Sequence, residues 1–183
     1  MSRFTAFLRA INVGGGRNIK MDALRQLFET LGFSGVATFI GSGNVVFETN
    51  AKNAKTLERK IGKRLREALG YEVTVFIRTA AELAKIANYK PFPQSKIDAA
   101  AEFNIIFLAD TLDEKFKQKV MALRTDTNEF RVHGREIYWL RRKKPTGSTF
   151  STVPFEKTLG RPVTIRSAKT VRHLAVNYSS TKS

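Results

Sequence analysis

Residues 36–48 read VATFIGSGNVVFE. Two short runs rich in β-branched and aromatic residues, VATFI (36–40) and NVVFE (44–48), meet at Gly41-Ser42-Gly43. That pattern predicts two strands joined by a tight turn. What flanks the hairpin decides the fold. Upstream, Met21, Leu24, Leu27, Phe28 and Leu31 share one helical face, and Gly32 supplies a stop. Downstream, Leu57, Ile61, Leu65 and Leu69 do the same and end at Gly70. Outside the helices lie two more strands. In residues 3–10, Phe4, Ala6, Leu8 and Ala10 point one way, and Arg3, Thr5, Phe7 and Arg9 the other. EVTVFI (72–77) is the second. The order is β-α-β-β-α-β, the ferredoxin-like unit.

The same order recurs. EFNIIFLAD (102–110) predicts a strand, and Leu112, Phe116, Val120 and Leu123 a helix. EFRVHGREIYWL (129–140) predicts a hairpin turning near Gly134, and a short helix ends at Gly160. RPVTIR (161–166) is the last strand, followed by a helix over 167–177. Residues 69–75, LGYEVTV, match residues 159–165, LGRPVTI, and Gly43 matches Gly134. The first half closes with a helix to Asn88 that starts at a capping box, Thr79-Ala80-Ala81-Glu82. Two prolines in KPFPQSK (90–96) interrupt regular structure there. The expected fold is α+β: duplicated ferredoxin-like halves with antiparallel sheets and a C-terminal helix. The halves span 1–89 and 102–178, with a linker at 90–101 and a frayed tail at 179–183. Helices cover one face of each sheet, which leaves the other free to pack or to bind.

The chain has 183 residues, a net charge of +16 and no cysteine. Disulfides, thiolate catalysis and cysteine zinc sites are excluded, in keeping with a reducing cytoplasm. MSRFTAFLRAINV at the N-terminus is too briefly apolar to span a membrane and has no small-residue cleavage site. The positive charge attracts polyanions, nucleic acid above all.

Four segments carry a family resemblance. LRAINVGGGRNIKMDALRQLFETLGF (8–33), GSGNVVFE (41–48), PFP (91–93) and TIRSAKTV (164–171) together resemble the DUF1697 family, a domain of unknown function. The resemblance implies a duplicated α+β architecture and no particular activity. Near the end the chain departs from the family pattern T-T-R-N-W-N-T-V. Arg166 and Thr170 match, but Ala168 replaces the tryptophan, and Ser167 and Lys169 replace the asparagines. If that cluster lines a family site, the site is altered here.

Gly14-Gly15-Gly16 follows the first strand and precedes a helix. A Walker loop needs a second glycine five residues after the first, where Ile19 stands. The dinucleotide fingerprint fails as well, for want of a glycine three residues after Gly16. Glycine-rich backbone at a helix N-terminus can still hold an anion. Candidate ligand residues are Arg9, Asn12, Gly14, Gly15, Gly16, Arg17, Lys20, Ser42, Asn44 and Arg166. Residues 40–47 match the spacing of an RNA-recognition strand at Gly41, Gly43, Val45 and Phe47. Ser42 and Asn44 stand where base-stacking rings would be, so the likeness is one of fold.

Lys52, Lys55, Arg59, Lys63 and Arg66 form a basic stripe on the second helix. A loop carries Arg141, Arg142, Lys143 and Lys144 next to Tyr138 and Trp139, of which Trp139 is expected in the core. His133 and His173 are the only histidines, and no metal or nucleophile motif accompanies them. No cofactor is expected. The leading expectation is a cytoplasmic, non-catalytic module that binds RNA or DNA phosphates through Arg9, Arg17, Lys20, Arg141–Lys144 and Arg166. The alternatives are a protein or enzyme for a small phosphorylated or carboxylated ligand at 12–18 and 42–44, and an oligomeric interaction protein using a free sheet face. The sequence leaves open whether the protein is an enzyme and what its oligomeric state is.

Overall fold

The computed structural model describes residues 1–12, 18–39, 43–143 and 153–178. Gly14, Gly15, Gly16, Arg17, Ser42, Lys144 and the expected tail at 179–183 therefore lie outside the described residues. The chain divides into two units, Met1–Lys85 with His173–Ser183, and Ile86–Arg172.

The first unit contains β1 (Ser2–Leu8), α1 (Met21–Glu29), β2 (Ser34–Phe39), β3 (Asn44–Thr49), α2 (Ala54–Leu69) and β4 (Val75–Thr79). All strand pairs are antiparallel and the sheet order is β2-β3-β1-β4. This order follows from two crossover helices that each return the chain past a neighbouring strand. The register sets Phe4 opposite Phe47 and Ala6 opposite Val45. Those side chains meet Leu24 and Phe28 of α1 and Leu57, Ile61 and Leu65 of α2 in one core. Phe47 is its centre, with ring centroids 5.8 Å from Phe4, 5.6 Å from Phe28 and 4.5 Å from Phe33. Gly43 opens β3 with φ +77°, and a Cβ there would sit 3.0 Å from Leu8 Cβ, so only glycine fits this turn.

Next come α3 (Ala80–Asn88) and α4 (Gln94–Ala99), then the second pattern. It comprises β5 (Glu102–Phe107), α5 (Glu114–Met121), β6 (Asn128–His133), β7 (Glu136–Arg141), α6 (Val153–Leu159), β8 (Thr164–Ser167) and α7 (Ala168–Tyr178). Its sheet order, β6-β7-β5-β8, repeats the first. Ile106, Val120, Phe130, Ile137, Trp139, Phe155 and Val163 form its core, which confirms Trp139 as an inward residue.

Four details differ from the sequence reading. First, β1 ends at Leu8 rather than Ala10, because Ala10 adopts φ 58° and turns the chain out of the sheet. Second, a helix, α4, forms within 90–101, because Pro93 ends one irregular stretch and leaves the chain free to coil after it. Third, Gly70 and Gly160 both end helices in left-handed conformation, but the strands beyond them align by pairing rather than by that glycine match. Thr79 pairs with Phe4 and Ser167 with Asn104, so Arg78 corresponds to Arg166. Fourth, the sheet faces expected to be free are buried: Thr5, Phe7, Val46, Phe76 and Arg78 in one sheet, and Ile105, Phe107, Tyr138, Leu140 and Arg166 in the other. Their apolar content is the reason. The run Phe103-Asn104-Ile105-Ile106-Phe107-Leu108 has no polar face to offer water.

Candidate anion-binding cleft

Of the first-unit residues expected at a ligand site, Asn12 and Asn44 and the backbone of Arg9 make hydrogen bonds within the fold. Asn12, at φ 58°, donates from Nδ2 to the Ile19 carbonyl at 3.1 Å, and its Oδ1 accepts the Ile19 N–H at 2.7 Å. The side chain thus clamps the two ends of the glycine loop, as a strand neighbour would. Asn44 is fully buried and donates to the Phe39 carbonyl at 2.9 Å, which ties β3 to β2. Arg9 donates its backbone N–H to the Thr74 carbonyl at 2.9 Å. Lys20 is exposed at the start of α1 and makes no side-chain cap.

Two residues of the basic run at 141–144, Arg141 and Arg142, face acids. Arg141 Nη1 donates to Glu102 Oε2 at 3.2 Å, and the guanidinium lies 4.4 Å from the Trp139 ring. Arg142 pairs with Glu129, which Lys96 also reaches at 3.1 Å. Burial pushes the Glu129 carboxyl up, but hydrogen bonds from Lys96 and Arg142, and their charges, hold it below its ordinary value. Lys143 is exposed. Tyr138, beside Trp139 in sequence, is also buried and packs 4.9 Å from Tyr89. The histidines stack on rings, His133 on Tyr89 and His173 on Phe39, each at 4.1 Å. Among the described residues, no group of three or more His, Asp or Glu could hold a metal ion.

Arg166 is placed differently. It stands near the end of β8, which runs straight into α7 without a loop. Ser167 caps that helix: its Oγ accepts the Thr170 N–H at 3.1 Å and lies 2.9 Å from Thr170 Oγ1. Arg166 is only 8% exposed. Its Nη1 donates to Thr164 Oγ1 at 2.8 Å and to the Ile165 carbonyl at 2.7 Å, both neutral oxygens. Burial pulls its pKa down to about 10, so it stays a cation at neutral pH. On β5, opposite Ser167, Asn104 is 5% exposed, and its Nδ2 has no hydrogen-bond partner among the described residues.

Asn104, Ile165, Arg166, Ala168, Lys169 and Arg172 line a cleft of about 620 Å³, a volume suited to a small molecule. Lys169 and Arg172 are exposed on α7. Cations, an amide donor and the positive end of a helix dipole converge there, which is a chemistry for holding an anion. Of the described residues expected at a ligand site, only Arg166 belongs to this cleft. Sequence reading missed Asn104. The available signal was one polar residue at a core-facing position of an otherwise apolar strand.

The comparisons bear on the fold. A solved structure titled "conserved bacterial protein SP0830 from Streptococcus pneumoniae" resembles this chain with a TM-score of 0.72. The likeness covers 96% of this chain and 97% of that one at 22% sequence identity, so it speaks for the architecture alone. No curated protein matches the chain. The family described as "Protein of unknown function (DUF1697)" matches residues 1–138. That span takes in the Met1–Lys85 part of the first unit and the second unit as far as the middle of β7, and stops before the β8–α7 corner. With three quarters of its length matched, the chain belongs to the DUF1697 family of proteins of unknown function.

Proposed function

We propose that the protein binds a small phosphorylated or carboxylated ligand in the cleft formed by β5, β8 and the first turn of α7. The observation that carries this reading is a buried amide donor, Asn104 Nδ2, without a partner among the described residues, opposite Ser167 at the start of α7 in a cleft that the buried Arg166 also lines. An unmet buried donor alone costs about 1–3 kcal/mol. An anion seated in the cleft offsets that cost, because charge-assisted hydrogen bonds are the strong ones. Lys169 and Arg172 raise the local anion concentration from outside.

The test is calorimetric titration and thermal melting with inorganic phosphate and with succinate. Binding should raise the Tm by mass action, the stabilisation reaching about 2.7 kcal/mol at a hundred times Kd. Arg166→Gln should weaken binding about tenfold or more. The paired variant Lys169→Ser with Arg172→Ser, altered only at exposed positions, should weaken it less and only at low salt. Equal responses in the wild type and in Arg166→Gln would sink the reading.

A second reading, attraction of RNA or DNA, rests on the exposed stripe of Lys55, Arg59 and Lys63 on α2, with Lys52 just before it and Lys143. The pairing of Arg141 with Glu102 and Arg142 with Glu129 takes away much of the charge that motivated it. A cysteine-free composition suits either role in a cytoplasmic setting.

A further inference from the structure

The two halves carry the same strand-to-helix corner. Ile77-Arg78-Thr79-Ala80 ends β4 and starts α3, and Ile165-Arg166-Ser167-Ala168 ends β8 and starts α7. The arginines behave alike. Arg78 is buried and its Nη1 donates to the Ile77 carbonyl at 2.9 Å, as Arg166 does to Ile165 at 2.7 Å.

Two positions beside them differ. In the first corner Glu82 completes the cap. Its Oε2 accepts the Thr79 N–H at 2.8 Å, and its own N–H donates to Thr79 Oγ1 at 3.1 Å. The equivalent residue in the second corner is Thr170, whose side chain meets the Ser167 hydroxyl and brings no carboxylate. On the neighbouring strand, Phe4 stands opposite Thr79 and packs into the core against Phe47. Its counterpart opposite Ser167 is Asn104, with an Nδ2 that no described residue satisfies. The first corner is thus sealed by its own carboxylate and its own ring. The second lacks both and opens on the cleft.

We infer that the ligand of the second corner is a small carboxylic acid, whose carboxylate takes the place at the helix start that Glu82 holds in the first. The inference rests on the anion-cleft reading and narrows it from any anion to a carboxylate. The unmet amide of Asn104, at the mouth of a helix eleven residues long, is the independent sign that a ligand completes the corner. Arg166 supplies the fixed charge behind it. Phosphate, with its tetrahedral oxygens, has no counterpart in the sealed corner.

The experiment is titration of isotopically labelled protein with acetate, succinate and inorganic phosphate, read at the backbone amides of Ser167–Thr170 by NMR. In the wild type, succinate and acetate should shift these resonances in a saturable way, and phosphate should be at least tenfold weaker. Thr170→Glu rebuilds the cap of the first half and should remove the response. Thr170→Gln fills the same place without charge and should weaken it at least tenfold, which separates occupancy from repulsion. Both variants place a favourable capping residue, and unchanged melting verifies that they fold. Wild-type affinity in both variants, or a response to phosphate alone, overturns the inference while leaving an anion cleft in place. A wild type silent to all three probes overturns the cleft reading and this one together.

Discussion

Asn104 has an energetic role opposite to that of its neighbours. It occupies a core-facing position on β5, between apolar side chains, and its amide nitrogen is unmet among the described residues. Replacing it with leucine removes an orphaned donor and adds buried apolar surface. Asn104→Leu should therefore be more stable by about 1–3 kcal/mol and melt a few degrees higher. The same variant should lose affinity for succinate. A gain in Tm with binding lost is the signature of a residue kept for function at a cost to stability. A fall in Tm would mean that the amide is satisfied in solution and contributes to the fold.

Glu129 acts between elements. From β6 it accepts from Lys96 of α4 at 3.1 Å and pairs with Arg142, just past the end of β7. Its carboxyl is held below its ordinary value of 4.5. A depressed folded-state pKa means stability that is fully present above the unfolded value and lost as pH falls through the folded one. Glu129→Gln should lower stability at neutral pH by about 1 kcal/mol, because the two cations it leaves behind are half-exposed and hydrated. The difference from the wild type should shrink as the solution is acidified below about pH 4. Parallel denaturation curves for the two proteins across that range would show that the triad contributes nothing. The capping box at Thr79 and Glu82 was legible beforehand, because its spacing is local. The Glu129 triad was not, since its three residues come from different parts of the chain.

At the scale of the whole molecule the charge of +16 is the property to account for. Much of it sits on exposed helix faces, including the stripe along α2, where Lys63 and Arg66 lean on Glu67 and Glu72. Such charge attracts polyanions weakly and without specificity. Binding to short RNA or duplex DNA should therefore appear at low salt and vanish near physiological ionic strength. Neutralising Arg141 and Arg142 should change it little, since both already face acids. Submicromolar binding that survives physiological salt and is lost with those two arginines would restore nucleic acid as the principal partner.

The sequence by itself determined the order of strands and helices, the helix stops at Gly70 and Gly160, the capping box, the inward Trp139 and the repetition of one pattern in both halves. These follow from periodicities and turn chemistry that act within a few residues. The tertiary structure decided which residues share a site. It drew Asn12 and Asn44 into backbone hydrogen bonds and faced Arg141 and Arg142 with carboxylates. It also paired β5 with β8, so that Asn104 stands opposite Ser167 at the start of α7. None of those partners is near in sequence. A side chain's freedom to meet a ligand depends on whether the fold has already satisfied it, and strand register and distant acids settle that.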